Sequence, residues 1–159
     1  MQENRKNASN LIGKILRPWW RLTRAQTLGA QGVLFNGDNE VLLIRHGYRP
    51  GWFFPGGGVE HGQTVLMAAT REVREETGIE VNPEKAELHG FFANFHAFPG
   101  DHIAVYVCHE WQRRETLAPN AEIREQRFFS PDDLPKETSD PTRRRLDEIL
   151  NGTTVAEYW

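Results

Sequence analysis

Three glutamates and a run of glycines are the residues of this sequence whose types and spacing best suit chemistry. Glu72, Glu75 and Glu76 stand at i, i+3 and i+4, so on a helix they are neighbours on one side of its surface. Like charges repel there, and a helix dipole disfavours negative charge near the C-terminus. A divalent cation would offset both costs, since carboxylate oxygens suit hard cations such as Mg²⁺. The simpler interpretation is a charged helix face in solvent, but the glycines at 56–58 favour a site where a ligand approaches the backbone.

A helix over residues 64–77 is predicted to carry these glutamates. Thr64 is suited to the N-cap, and Gly78 to the left-handed conformation that ends many helices. Leu66, Ala69 and Val73 recur at i, i+3 and i+7 and form an apolar stripe. We therefore expect this helix to pack against a sheet.

The segment from Gly57 to Ile79 resembles the Nudix box. In that pattern a glycine is followed after five residues by a glutamate, and seven residues later by Arg-Glu-apolar-x-Glu-Glu-x-Gly-apolar. Residues 71–79, REVREETGI, match the second half at every specified position, while Gln63 stands in place of the first glutamate. The resemblance extends more loosely over residues 27–150. It implies the Nudix fold, of the α/β (α+β) class, with a mixed β-sheet sandwiched between α-helices.

The resemblance also implies a chemistry and a set of roles. Nudix enzymes hydrolyse a nucleoside diphosphate linked to another group, by attack of a metal-activated water on the phosphoanhydride. By position in the motif, Glu72, Glu75, Glu76 and the backbone of Gly57 are implied as metal ligands, with Mg²⁺ or alternatively Mn²⁺ as cofactor. Arg71 and Glu75 are implied as catalytic residues. Arg71 orients the glutamates, and it can reach Glu75 at i+4.

Gln63 is the one departure from the box. A glutamine retains a carbonyl that accepts hydrogen bonds but carries no charge. We therefore predict weaker metal affinity or an altered metal preference rather than inactivity. Glu60, near the glycine turn, could substitute for the missing carboxylate.

Outside the box, the family often takes a general base from a loop that follows it. Glu122 is the candidate here, and the alternative is a solvent-exposed loop charge near Arg124. Glu115 and Glu125 are weaker candidates.

Three residues before the box are expected to bind substrate. Tyr48, Arg49 and Trp52 could stack on a base and grip phosphate. For Trp52, packing in the core is an equally good interpretation, and for Phe54 it is the better one.

Composition and charge narrow the class of protein. The 159 residues suit one globular domain, and the single cysteine, Cys108, lies in an alternating apolar stretch and is expected to be buried. A lone thiol argues for a reducing compartment, the cytoplasm. No apolar run reaches the 18 residues of a membrane span, so no transmembrane segment is expected.

The charge of the chain is unevenly distributed. Residues 1–24 carry six basic residues and one acid, a net charge of +5. Because the whole chain carries −3, the remaining residues carry −8. Such an acidic body argues against binding duplex nucleic acid.

The chain is expected to divide into a basic amphipathic extension, 1–24, and a Nudix domain, 25–159. Apolar residues with helical spacing mark the extension: Leu11, Ile12, Ile15, Leu16, Trp19 and Trp20. Pro18 predicts a helix end or kink there. The extension is expected to pack on its own domain or on the partner in a homodimer. The alternative is an anionic membrane surface.

Strand patterns complete the expected fold. Residues 27–35 and 41–45 are predicted to form a hairpin around the turn at Asn36-Gly37. Two further β segments, 88–98 and 102–111, are joined at 99–101, and residues 123–129 form another strand. A last helix is predicted from Asp140-Pro141 to about Leu150.

Three functions are compatible with the sequence. The first is a Mg²⁺-dependent hydrolase acting on a nucleotide derivative: ADP-ribose, a dinucleoside polyphosphate, a sugar nucleotide or an oxidised nucleotide. The second, favoured by Gln63, is a module that senses a nucleotide or partner with weak or no turnover. The third is an isomerase of isoprenoid diphosphates, which no residue outside the box supports.

Overall fold

The computed structural model describes residues 26–159, so the predicted extension at 1–24 lies outside the described residues. The strands, in chain order, are β1 (Thr27–Leu34), β2 (Val41–His46), β3 (Gly56–Gly58), β4 (Ile79–Val81), β5 (Ala86–Ala93), β6 (Asp101–Cys108), β7 (Trp111–Arg113) and β8 (Ile123–Phe129). The α-helices are α1 (Val65–Thr77) and α2 (Asp140–Asn151), and short 3₁₀ turns lie at Pro83–Lys85 and Pro131–Asp133.

The central sheet has four strands in the order β3-β1-β6-β5. β1 runs parallel to β6 and antiparallel to β3, while β5 and β6 are antiparallel, so the sheet is mixed. Two small antiparallel sheets, β2 with β8 and β4 with β7, flank it.

The two helices pack on opposite faces of the central sheet, because side chains alternate along β1. Val33 joins a buried cluster with Leu146 of α2. Leu34, its neighbour on the strand, joins a second cluster with Val73 of α1. The expected mixed sheet between helices is confirmed.

The predicted hairpin of β1 and β2 is wrong. Only a single bridge, Phe35 to Val41, joins the two segments, and β2 instead pairs along its length with β8. The turn itself forms: Asn39 takes a φ of 59°, and its N–H donates to the Asn36 carbonyl at 3.1 Å. β1 is already paired on both sides, by β3 and β6, so no edge is left for β2.

The C-terminal tail folds back onto the body. The Trp159 N–H donates to the Ala93 carbonyl at 3.0 Å, and the Trp159 ring lies 5.8 Å from that of Phe92. Within residues 26–159, no helix is long and apolar enough to cross a membrane.

Candidate active site

Helix α1 begins and ends as its sequence predicts. The Thr64 hydroxyl accepts a hydrogen bond from the Met67 N–H at 3.1 Å. Gly78 ends the helix with a φ of 71°, and its N–H donates to the Arg74 carbonyl. Ala69 and Val73 are buried against the sheet, so the glutamate side of the helix turns toward the glycine strand β3.

Arg71 holds this helix to β3 and pairs with two of the glutamates. Its guanidinium donates to Glu75 Oε2 at 2.8 Å, lies 2.8 Å from Glu72 Oε1, and donates to the Gly58 carbonyl at 3.1 Å. Burial alone would lower the Arg71 pKa, but the bonds to Glu75 and Glu72 outweigh it and raise the pKa. The predicted contact of Arg71 with Glu75 is confirmed.

Glu76 is the buried carboxylate of the site, with 6% of the residue exposed. Its Oε2 accepts a hydrogen bond from the Gly56 N–H at 2.7 Å, which ties it to the start of β3. Burial raises the pKa of Glu76 to about 8, and the charges of Glu72 and Glu122 act in the same direction. The site therefore crowds negative charge where water screens it poorly.

Glu72 lies against the glycine backbone of β3. A Cβ on Gly57 would overlap the Glu72 carboxylate, so only glycine allows the two to approach this closely. The Glu72 pKa is raised, first by burial and further by the charges of Glu75 and Glu122, although Arg71 opposes this.

The structure brings Glu122 to these glutamates from a distant part of the chain. Its backbone is fixed by two hydrogen bonds of 2.8 Å, one from the Gly47 N–H to its carbonyl and one from its N–H to Asn120 Oδ1. Its carboxylate lies close enough to Glu72 and Glu76 to raise the pKa of both. The weaker candidate Glu125 instead pairs with Arg45, at 3.1 Å.

The carboxylate and backbone oxygens of this site are of the kind that bind a hard divalent cation. Carboxylates with raised pKa values next to a closely approached glycine backbone are the oxygen donors that Mg²⁺ and Mn²⁺ take. Within residues 26–159, however, no three His, Cys, Asp or Glu side chains are already gathered tightly enough to hold an ion. Glu75 is half exposed and already paired with Arg71, so it is the least suited of the predicted ligands.

A hydrogen bond holds the Gln63 side chain in the loop before α1. Its Oε1 accepts a hydrogen bond from the Glu60 N–H at 3.1 Å. Glu60 Oε1 lies 3.9 Å from the Arg71 guanidinium, so Glu60 is a third carboxylate near Arg71, beside Glu72 and Glu75.

His46 belongs to the site, and sequence reasoning missed it. Its Nε2 lies 2.9 Å from the Arg49 guanidinium, which can only donate, so Nε2 accepts and the neutral ring carries its proton on Nδ1. Nδ1 faces Glu76 Oε1 at 4.0 Å. Burial lowers the pKa of His46 to about 4, and the charge of Arg49 adds to the effect. A lone histidine at the end of a strand gives no signal in the sequence that could have identified it.

An open, basic groove of about 430 Å³ adjoins this histidine. Among its lining residues, Tyr48 and Arg49 were predicted to bind substrate, while Arg45 and Arg124 were not. Tyr48 is 69% exposed, and the Arg49 guanidinium lies 3.8 Å from the Phe53 ring centroid. Burial lowers the pKa of Arg49, while the charge of Glu76 acts against this lowering and links the groove to the buried carboxylate.

Trp52 does not line this groove, and its predicted role in substrate binding needs correction. Only 6% of the residue is exposed, and it packs in the core cluster with Leu146. Its ring meets Phe129 edge to face at 4.7 Å, so its faces serve packing rather than stacking on a base. Phe54 is fully buried, as expected.

Comparison with known proteins identifies the family. The family model described as the NUDIX domain matches residues 25–148. The ADP-ribose pyrophosphatase of Methanocaldococcus jannaschii is 32% identical over 120 residues, which cover 74% of this chain and 69% of that protein. This chain therefore belongs to the NUDIX family.

Two further relatives show how far the similarity extends. The solved structure of a MutT NUDIX hydrolase from Burkholderia pseudomallei matches with a TM-score of 0.67 and 25% identity, over 79% of this chain and 99% of that one. An RNA pyrophosphohydrolase of Xanthomonas campestris is 45% identical over 58 residues, covering 36% of this chain and only 27% of that protein.

Proposed function

We propose that this protein hydrolyses the diphosphate linkage of a nucleoside diphosphate derivative. The observation that carries the proposal is the placement of two α1 carboxylates against the glycine strand β3. Glu76 accepts a hydrogen bond from the Gly56 N–H at 2.7 Å, and the Glu72 carboxylate lies against Gly57. Crowded, partly buried carboxylates destabilise the metal-free protein, and a divalent cation that takes them as ligands would remove that cost.

Each residue is assigned a role in the reaction. Glu72, Glu76 and the Gly57 carbonyl would hold Mg²⁺, or alternatively Mn²⁺. The metal, when bound, neutralises phosphate charge and lowers the pKa of a bound water. Glu122 accepts a proton from the attacking water. Arg71 positions Glu72 and Glu75 through its two ion pairs.

The groove next to the carboxylates would receive the substrate. Arg49 and Arg124 supply positive charge for a diphosphate, and the exposed Tyr48 ring offers a stacking surface for a base. Among nucleotide derivatives, ADP-ribose is the first substrate to test, because the ADP-ribose pyrophosphatase aligns over most of both chains. The RNA pyrophosphohydrolase resembles a shorter segment, which makes 5′-phosphorylated RNA the second choice. The buried, unpaired thiol of Cys108 supports the cytoplasm as the location.

A second candidate function rests on Arg71. Because Arg71 already pairs with Glu72 and Glu75, and Gln63 removes one further carboxylate, the site could bind a nucleotide without turning it over. Such a nucleotide-sensing module would bind a nucleotide in the groove without hydrolysing it.

Product release from a panel of substrates separates the two functions. ADP-ribose, a dinucleoside polyphosphate, a sugar nucleotide, an oxidised nucleotide and 5′-triphosphate RNA are each incubated with Mg²⁺ or Mn²⁺. We expect metal-dependent cleavage of at least one, lowered about 100-fold or more by Glu76→Gln, since even residues behind a metal ligand cost 10–100-fold.

The matched control is Glu80→Gln. Glu80 is an exposed glutamate on β4 that pairs with Arg114, so its loss should leave turnover unchanged. Tight nucleotide binding with no cleavage by the unmodified protein would favour the sensing module. Equal turnover in Glu76→Gln would contradict the assigned site.

A further inference from the structure

An exposed aromatic face lies on the edge of the central sheet, on the side of the sheet that faces α1. Five large apolar residues, each about half exposed, form it: Leu88, Phe91, Phe95, Phe98 and Tyr158. They lie on β5, on the loop 94–100 and in the C-terminal tail. We call these five residues, together with His102, the aromatic face.

Four residues of the aromatic face are connected by ring contacts. Phe91 stacks on His102 at 5.1 Å, Phe95 meets the same ring edge-on at 5.5 Å, and Tyr158 lies 6.1 Å from Phe95. Contiguous apolar surface of this kind marks a place where another segment docks.

The fold explains why this side of β5 is uncovered. Phe92 points into the core beneath α2, so its neighbour Phe91 must point to the other side of the sheet. On that other side α1 packs mainly against β1 and β3, which leaves β5 beyond its reach.

Residues 1–25 join the described structure beside this face. β1 starts at Thr27, which pairs with Asp101, and its hydroxyl donates to the Asp101 carboxylate. The Asp101 N–H in turn donates to the Phe98 carbonyl, so the chain emerges next to the loop that carries Phe95 and Phe98.

The preceding sequence has the matching composition. Six apolar residues occur within residues 11–20: Leu11, Ile12, Ile15, Leu16, Trp19 and Trp20. The six residue-to-residue steps from Trp20 to Gln26 can span roughly 20 Å when extended. Residues 1–24 also carry a net charge of +5 against −8 for the rest of the chain, so their approach to the body is favoured.

We propose that residues 11–20 of the same chain dock on the aromatic face and cover it. The occupant is a segment of this protein rather than a second copy or a membrane. This inference does not depend on the hydrolytic activity.

Paramagnetic broadening of amide signals in the full chain tests it. A nitroxide is attached through Asn10→Cys, because the native Cys108 is only 1% exposed and will not label. In the ¹⁵N-labelled protein we expect the strongest broadening at residues 88–98 and 102, with weaker broadening of α2, which lies farther away on the opposite face of the sheet. In a mixture of ¹⁵N-labelled chains without nitroxide and nitroxide chains without ¹⁵N, we expect no broadening.

Two variants of the spin-labelled chain provide the matched control. Phe91→Ser combined with Phe95→Ser removes two half-exposed rings and should abolish the local broadening. Leu150→Ser, an apolar residue of similar exposure on α2, should leave it intact. Retention of the broadening in the double variant would overturn the proposal.

The remaining outcomes also contradict it. Broadening of the face only in the mixed sample would assign the face to a second copy. Broadening elsewhere, or none, would leave the segment without this docking site. Co-sedimentation of the full chain with anionic phospholipid vesicles, lost in Trp19→Ser/Trp20→Ser, would assign the segment to a membrane instead.

Discussion

At the scale of one residue, the stability of the fold depends on whether the Glu76 carboxyl group is protonated or charged. Its carboxylate is buried, accepts a hydrogen bond from the Gly56 N–H, and faces the neutral ring of His46. With a pKa near 8 in the folded chain and an ordinary value when unfolded, Glu76 holds a proton more tightly in the fold. The stability that goes with that proton is full below pH 4.5 and is lost as pH rises through 8.

Glu76→Gln should therefore stabilise the metal-free protein while it removes function. Glutamine keeps an acceptor for the Gly56 N–H and carries no charge to bury. We expect the free energy of unfolding to rise by about 1–2 kcal/mol, a typical gain when a functional site is neutralised. Urea unfolding at pH 8.5 with EDTA measures it, and Glu80→Gln should show no gain. A less stable Glu76→Gln protein would argue against the charge penalty.

Gln63→Glu restores the charge that the box lacks. The new carboxylate can still accept from the Glu60 N–H, so the loop should keep its shape and its stability to within about 0.5 kcal/mol. We expect metal affinity to rise, or the preference between Mg²⁺ and Mn²⁺ to shift, because a further negative charge stands near Arg71. Calorimetric titration with both metals is the measurement, and unchanged affinity for each would refute the role given to Gln63.

At the scale of elements, α2 and the tail are joined by one buried ion pair. The Arg145 guanidinium, fully buried, donates to both oxygens of Glu148 at 2.6 and 2.8 Å and lies 4.0 Å from the Phe92 ring centroid. It also donates to the Tyr158 carbonyl at 3.2 Å, while Glu148 accepts from the Ala156 N–H at 3.0 Å. The pair thus connects the helix, the central sheet and the end of the chain.

Arg145→Gln should destabilise the fold by about 3–5 kcal/mol, because it leaves the Glu148 charge buried without its partner. Arg144→Gln, the exposed neighbour on the same helix, should change stability by about 0.5 kcal/mol or less. Denaturant unfolding of both variants gives the comparison. Equal effects of the two substitutions would mean that the Arg145–Glu148 pair contributes no more to stability than an exposed arginine does.

Elements were predictable from the sequence where their signals are local. Thr64, Gly78 and the spacing of α1 fixed that helix to within a residue, and the Arg71–Glu75 contact followed from it. α2 begins at Asp140, as predicted, and Ser139 is its N-cap. The pairing of β2 with β8 was missed, since a turn signal at Asn36-Gly37 carries no information on which strands occupy the edges of β1.

At the scale of the whole molecule, the site depends on contacts between residues far apart in sequence. Glu122 and the groove residues Arg45 and Arg124 come to α1 only through the β2–β8 sheet. The resemblance suggested Glu122 as a candidate, whereas the positions of His46 and the two arginines depend on the fold and could not be predicted. The burial of Trp52 could not be predicted for the same reason, because it depends on contacts with Phe129 and α2, which are distant in sequence.

Acid should remove stability from the fold in two stages, at His46 and at Glu148, while protonation of Glu76 adds stability as pH falls from 8 to 4.5. His46 is neutral in the fold with a pKa of about 4, lowered by burial, so its contribution is present above pH 6.5 and is lost as pH falls toward 4. Burial alone would raise the Glu148 pKa, but hydrogen bonds from Arg145, His89 and the Ala156 N–H lower it. Its contribution is therefore present above pH 4.5 and is lost at lower pH, as pH falls through the folded value.

Unfolding free energies between pH 8 and pH 3, measured with EDTA, follow both stages. Because the contribution of Glu76 is common to both proteins, the effect of His46 is the difference between the two curves. Relative to the unmodified protein, His46→Gln should gain stability as pH falls from 6.5 to 4 and should keep the loss below 4.5. A His46→Gln curve parallel to that of the unmodified protein throughout would show that the buried histidine titrates normally.

The binding of Mn²⁺ to the protein without substrate tests the central claim, that Glu72 and Glu76 hold a catalytic cation. Electron paramagnetic resonance of free Mn²⁺ gives the affinity of the unmodified chain and of Glu72→Gln, Glu76→Gln and the control Glu80→Gln. We predict that the first two substitutions weaken binding at least about tenfold and that the control does not. Equal Mn²⁺ affinity in all four proteins would contradict the account.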